Sequence, residues 1–204
     1  MADAHPNARL EAFSDGVFAI ALTLLVIEIR LPAMDSIGSS TELWRALGLL
    51  GPTVFAFLLS FAVILITWVN HHGTLRLVDA SSAPFMYGNG FLLLTVVFIP
   101  FPTALLGAFV RTDHAAPAVV LYVTVLAVQA IGWILLTGAA LSGDLACDEL
   151  AATRLRVQKR SGYFAFALYA LLAVAALWIP VTVAIITAVT WMIWLSMSLK
   201  QKDT

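Results

Sequence analysis

Apolar positions in this chain run in long blocks rather than alternating, and short clusters of charged or turn-forming residues separate the blocks. About 20 apolar residues in a helix cover roughly 30 Å of hydrocarbon, so blocks of that length read as membrane spans. Six spans fit, at 10–29, 43–69, 85–110, 117–141, 162–179 and 181–199. The first stops at Arg30, Leu31 and Pro32, where proline disfavours further helix. The polar stretch from Ala33 to Glu42 is then a loop. The second carries Gly51-Pro52, which kinks it or starts its inserted part, and ends on Asn70, His71, His72 and Gly73. Pro100 and Pro102 predict a break in the outer half of the third. Ser142 to Arg160 reads as a charged linker, and the apolar stretch from Gly162 to Leu199 is too long for one crossing and divides at Pro180. The pattern predicts an all-α integral membrane protein, a single six-helix domain over 1–204 without internal repeats.

Composition sharpens this reading. The chain is 61% apolar and 11% charged, against roughly 25% charged in a soluble domain, and its mean hydropathy is +0.96. A soluble fold is excluded, because so few charges cannot cover its surface. A net charge of −1 leaves no basic face for phosphates, so nucleic acid is not an expected partner. Cys147 is the one cysteine, which rules out an intrachain disulfide. No HExxH, GxSxG or Walker loop is present, so neither an enzyme nor a cofactor is expected. The six tryptophans read as interface anchors or packing. Six spans put both termini and the second and fourth linkers on one side, with Arg9, Arg76, Arg154, Arg156, Lys159, Arg160, Lys200 and Lys202. Arg30, Arg45 and Arg111 fall on the other. That asymmetry places both termini in the cytoplasm. Asp3, Glu11 and Asp15 around the first block argue against a cleaved signal peptide.

Asp15 is the side chain that hydrocarbon should have excluded, since a charge within a span costs about 3 kcal/mol even on lenient scales. It lies between Ser14 and Gly16, with Arg9 at the mouth of the same helix. Asn70, His71, His72 and Asn89 fall at similar depth on the next two spans. Arg9, Ser14, the histidines and Asn89 are the expected donors of a polar network that clasps the first helix to the second and third. Gating, proton sensing and direct substrate contact are the functional alternatives. His71 and His72 do not form a metal pair, because adjacent helical residues point about 100° apart.

The run Arg9-Leu-Glu-Ala-Phe13-Ser14-Asp15-Gly16, continuing through Ile20, Thr23, Leu24 and Ile27 to Pro32, resembles the first-helix signature of the endosomal/lysosomal potassium channel family, transmembrane protein 175, in its bacterial form. Trp68-Val-Asn-His71-His72 is also similar to that family. The resemblance implies a potassium-selective cation channel in a bacterial plasma membrane, its partners potassium ions, the bilayer and three further copies of itself in a homotetramer. It implies that the first helix lines a central pore, with Ile20, Leu24 and Ile27 at the constriction and Thr23 as a selectivity candidate. No metal is implied apart from permeating potassium. At about 100° per residue these four share one face, and Asp15 lies about 140° away. The opposite face (Ala19, Leu22, Val26, Ile29) is equally apolar, so periodicity permits the pore face without choosing it. A competing reading is a proton-coupled secondary transporter using Asp15 and His71 or His72 as a relay. A membrane scaffold without transport is the third.

Overall fold

The structure, a computed structural model, describes residues 7–30, 32 and 37–200. Residues 33–36 of the expected first loop, and Lys202, lie outside the described residues. Among the described residues eight helical segments follow one another: α1 (Ala8–Ile27), α2 (Ser40–Leu49), α3 (Gly51–Leu75), α4 (Ala83–Phe98), α5 (Pro100–Phe109), α6 (Ala115–Ser142), α7 (Glu149–Ala175) and α8 (Pro180–Lys200). Among the described residues four stretches can cross a membrane by length and composition: α1, α3, the α4–α5 run Ala83–Phe109, and α6. Pro180–Trp194, the part of α8 whose side chains are described, is a shorter apolar helix.

Two boundaries differ from expectation, and a third, at Gly51-Pro52, is a helix start rather than a kink, each for a local reason. The second apolar block is two helices, because the chain breaks at Leu50 and Gly51-Pro52 opens α3. Proline fits the first helical turn, where its missing N–H has no partner to lose. The preceding α2 is capped by Ser39, whose hydroxyl accepts from the Glu42 N–H at 3.2 Å, and buries none of its residues. At its other end α3 runs on to Leu75, so Asn70, His71 and His72 sit within the helix rather than closing it. A single glycine, Gly73, does not stop a helix whose Thr74 and Leu75 are packed inside. The supposed linker 142–160 is largely the first three turns of α7. Asp148 caps it, accepting from the Ala151 N–H at 2.6 Å, and Arg, Lys and Glu are good helix formers whatever their charge. The break at Pro100 separates α4 from α5 at Ile99, and Pro180 opens α8.

Helix α6 is the axis of the bundle, packing against α4, α5, α7 and α8, whereas α1 packs against α3, α4 and α5. The α4–α6 crossing is close enough to require glycine twice. A Cβ on Gly88 would lie 3.0 Å from the Leu136 Cα, and one on Gly132 would lie 3.0 Å from the Leu92 Cα. Small residues let backbones meet where no hydrophobic force pushes helices together in lipid. Further along, Thr103 donates its hydroxyl to the Ile99 carbonyl, which leaves Ser60 to donate to Thr103 at 2.6 Å and Tyr122 to donate to Ser60 at 2.9 Å. This buried chain of hydroxyls joins α3, α5 and α6 with every proton used. At the end where α1 begins, the α3–α4 and α6–α7 linkers pair through Val78 and Ala146, and the Asn7 amide donates to the Val78 carbonyl at 2.9 Å.

Candidate functional site

The two faces of α1 behave differently. With Ile20 at zero and about 100° per residue, the buried residues Ser14, Phe18, Ala21 and Leu25 fall between about +100° and +160°. Phe13, Gly16, Ile20, Thr23, Leu24 and Ile27, all exposed, fall between about −60° and +40°. Leu25 is 0% exposed and its neighbour Leu24 is 39% exposed, while Ile20 and Ile27 reach 60% and 69%. The four residues singled out on this helix therefore stand on one uncovered arc.

The covered face carries a polar network. Ser14 donates its hydroxyl to the Leu10 carbonyl at 2.8 Å, so the contact with Asn89 at 3.1 Å is the Asn89 amide N–H donating to Ser14. That orients the amide and leaves Asn89 Oδ1 facing His71 Nε2 at 2.6 Å, which must then carry a proton and donate it. The His71 ring lies 5.4 Å from that of Phe18. Ser14, Asn89 and His71 thus tie α1, α4 and α3 together, and all three are buried.

Asp15 is held by a residue outside that set. Its Oδ1 accepts from Trp68 Nε1 at 2.8 Å. The indole of Trp68 supplies one N–H and accepts nothing, which suits a carboxyl oxygen as its acceptor. His72 lies with Nδ1 2.7 Å from Glu11 Oε1, one turn nearer the start of α1. Sequence reading passed over both partners, although Trp68 lies four residues before His72 and Glu11 lies four before Asp15. The same i, i+4 spacing on both helices was the available signal. Two expected members stand apart: Arg9 is exposed and takes no part in these bonds, and the Asn70 side chain faces a cavity behind α3.

Thr23 donates its hydroxyl to the Ile20 carbonyl at 2.8 Å, within its own helix. With its proton so engaged, the oxygen keeps an acceptor lone pair toward the exposed side. Among the described residues no group of three or more His, Cys, Asp or Glu is placed to hold a metal ion.

The chain matches the family described as endosomal/lysosomal potassium channel TMEM175 over residues 9–100, which contain α1 but for its first residue, α2 to α4, and the whole of the α1 network. It is 41% identical to a potassium channel of Streptomyces collinus over 159 residues, 74% of this chain and 76% of the relative. It is 49% identical to a potassium channel of Chamaesiphon minutus over 116 residues, 57% of each chain. The shared stretch with that relative thus spans just over half its length. Mouse TMEM175, an endosomal/lysosomal proton channel, is 34% identical over 111 residues, 22% of its length. The crystal structure of a lysosomal potassium-selective channel TMEM175 homolog from Chamaesiphon minutus superposes with a TM-score of 0.81 at 35% identity, covering 94% of this chain and 97% of that one.

Proposed function

Because the chain belongs to the TMEM175 family, a family of ion channels and not of enzymes, we propose that it conducts potassium in preference to sodium through a path lined by α1. The observation that carries this reading is the uncovered arc of α1. A helix clasped on one face by a buried polar network and bare on the other is built to present that bare face to further copies and to whatever lies between them. Four copies around an axis bring Ile20, Leu24 and Ile27 into rings that close the path by excluding water when narrow and admit ions when the helices move apart. No methyl group replaces an ion's hydration shell, so any discrimination falls to Thr23, whose oxygen is available as an acceptor.

Six crossings complete the topology, with α7 from about Gly162 and α8 as the last two. The excess of Lys and Arg puts both termini in the cytoplasm, here of a bacterial plasma membrane as the bacterial relatives suggest. Asp15, facing Trp68 rather than the bare arc, serves as a structural member in this reading, together with Ser14, His71, His72 and Asn89.

The test is the reversal potential of purified protein in liposomes or planar bilayers under opposed potassium and sodium gradients. A potential near that of potassium supports the reading, and absence of conductive flux leaves a scaffold. Saturable flux coupled to protons selects the transporter using Asp15 and the histidines. The mouse relative makes a proton gradient the necessary third arm, since a current following protons alone displaces potassium as the permeant ion. Cys147, exposed in the α6–α7 linker, reports the orientation. A membrane-impermeant maleimide should reach it only from the cytoplasmic face. Partial loss of hydration foremost, and then Asp79, raise the pKa of this otherwise exposed thiol, so labelling should accelerate as pH rises above neutral.

A further inference from the structure

Behind α3, on the side away from α1, lies a cavity bounded by α3, α6, α7 and α8, with about 100 Å³ open to the centres of water-sized molecules. Three buried polar atoms on its wall have no hydrogen-bond partner among the described residues: Gln129 Nε2, Tyr169 Oη and Trp191 Nε1. Gln129 and Tyr169 are each only 3% exposed. Native structures leave few such groups, and each orphan inside a protein costs about 1–3 kcal/mol. Three converging on one chamber from three different helices point to a site rather than a packing fault.

The chemistry of the wall narrows the occupant. Gln129 Nε2 and Trp191 Nε1 only donate, and Tyr169 has a hydroxyl proton to give. Among the described residues no charged side chain lines the cavity, so an ion there would face no counter-charge from them and an uncharged acceptor fits best. The remaining wall is mainly apolar, with Ile66, Leu126, Ala165 and Trp194 among its members. Water alone fits poorly. At roughly 10–15 Å³ of such volume per molecule several waters would be needed, each with two to four partners, on a wall that is mainly apolar although Thr67, Asn70, Gln158 and Ser161 also line it.

We propose that this chamber binds a small uncharged molecule with a carbonyl oxygen on an apolar body, a ketone, amide or ester, held by Gln129, Tyr169 and Trp191. Thr67 and Asn70 line the chamber from α3, and Trp68 and His71, next to them in sequence, hold α1. An occupant therefore lies directly behind the helix that positions the bare arc, so binding there bears on α1 through α3.

The experiment is photolabelling of the full chain in nanodiscs with benzophenone, a ketone that inserts into adjacent C–H bonds, followed by peptide mass spectrometry. Label should concentrate on the segments 126–133, 158–169 and 191–194. Cyclohexanone in excess should suppress that label, and methylcyclohexane, of similar shape without the oxygen, should not. Tyr169→Phe removes one donor with little change in volume and should reduce cavity labelling about two- to tenfold, the value of one hydrogen bond. Label spread over the outward-facing residues Leu171, Leu177 and Ile185 would overturn the proposal. So would equal competition by the two cyclic compounds, which requires no variant to fold. The readout is binding alone, so it stands or fails independently of ion conduction.

Discussion

Leu24 and Leu25 are consecutive leucines on one helix, and they live in different solvents. Leu25 is sealed in the core with Phe18 and Ala21 against α3 and α5, while Leu24 shares the bare arc with Ile20 and Ile27. Composition does not distinguish the two faces, since both are apolar. What separates them is the polar network: Ser14 bonded to Asn89 on one flank and Asp15 bonded to Trp68 on the other fix the rotation of α1 about its axis. A purely apolar helix in lipid has little to set its rotation, because tails and side chains are equally apolar. The polar groups therefore decide which leucine is core.

The largest effect expected is at Leu25. Leu25→Asn removes packed methyl groups and buries an amide without a partner, at a cost of about 3–5 kcal/mol, so folded protein should be lost from size-exclusion chromatography. Leu24→Asn, one position away, should leave the melting temperature nearly unchanged and raise leak while reducing potassium preference in bilayer recordings. If Leu24→Asn folds but conducts as wild type, the bare arc does not border the ion path. Should both variants unfold alike, the contrast between the two faces is wrong.

Next in size is the network that sets the rotation. Asn89→Leu leaves His71 Nε2 without an acceptor and Ser14 without its donor, each a loss of about 1–3 kcal/mol. Melting should fall by several degrees, and part of the protein should fail to assemble. Trp68→Phe strips Asp15 of its one observed donor and should be restored in part by the second change Asp15→Asn, which removes the charge that needed it. A double variant no more stable than Trp68→Phe would mean that the indole packs without holding the carboxylate.

These contrasts also mark how far the sequence could be read. Helix α1 was legible because its ends carry unambiguous signals: apolar density, then Pro32. The break at Pro100 and the opening of α8 at Pro180 follow from proline's missing N–H. The start of α3 was legible only as one of two alternatives at Gly51-Pro52, since hydropathy sees α2 and α3 as one apolar block, and the start of α7 was not legible because charged helix reads as loop. In the network, Ser14, Asp15, His71 and Asn89 were recognisable as polar residues at a shared depth. Their pairing was not, because which donor meets which acceptor depends on rotations that only packing fixes. That is why Arg9, nearest to Asp15 in charge and sequence, stands outside while Trp68 takes the contact. Ser60, Thr103 and Tyr122 were invisible for a simpler reason: hydroxyls inside spans carry little hydropathy penalty, so nothing flagged them.

The smallest structural change should carry the most specific functional one. Thr23 lies on the bare arc, is exposed, and has its proton committed to the Ile20 carbonyl. Thr23→Ala should therefore alter stability by less than about 0.5 kcal/mol. In the proposed tetramer it removes a ring of four acceptor oxygens, and losing about 1 kcal/mol of differential stabilisation lowers the potassium-to-sodium permeability ratio about fivefold. Thr23→Ser keeps the oxygen and its bond to the helix, so it should keep the ratio, whereas Thr23→Val keeps the volume and should lose it. Ser and Val exchanging those outcomes would mean that the residue sets the width of the path and not its chemistry. A reversal potential unmoved by all three would separate Thr23 from the ions altogether, and with it the argument that this arc of α1 discriminates among them.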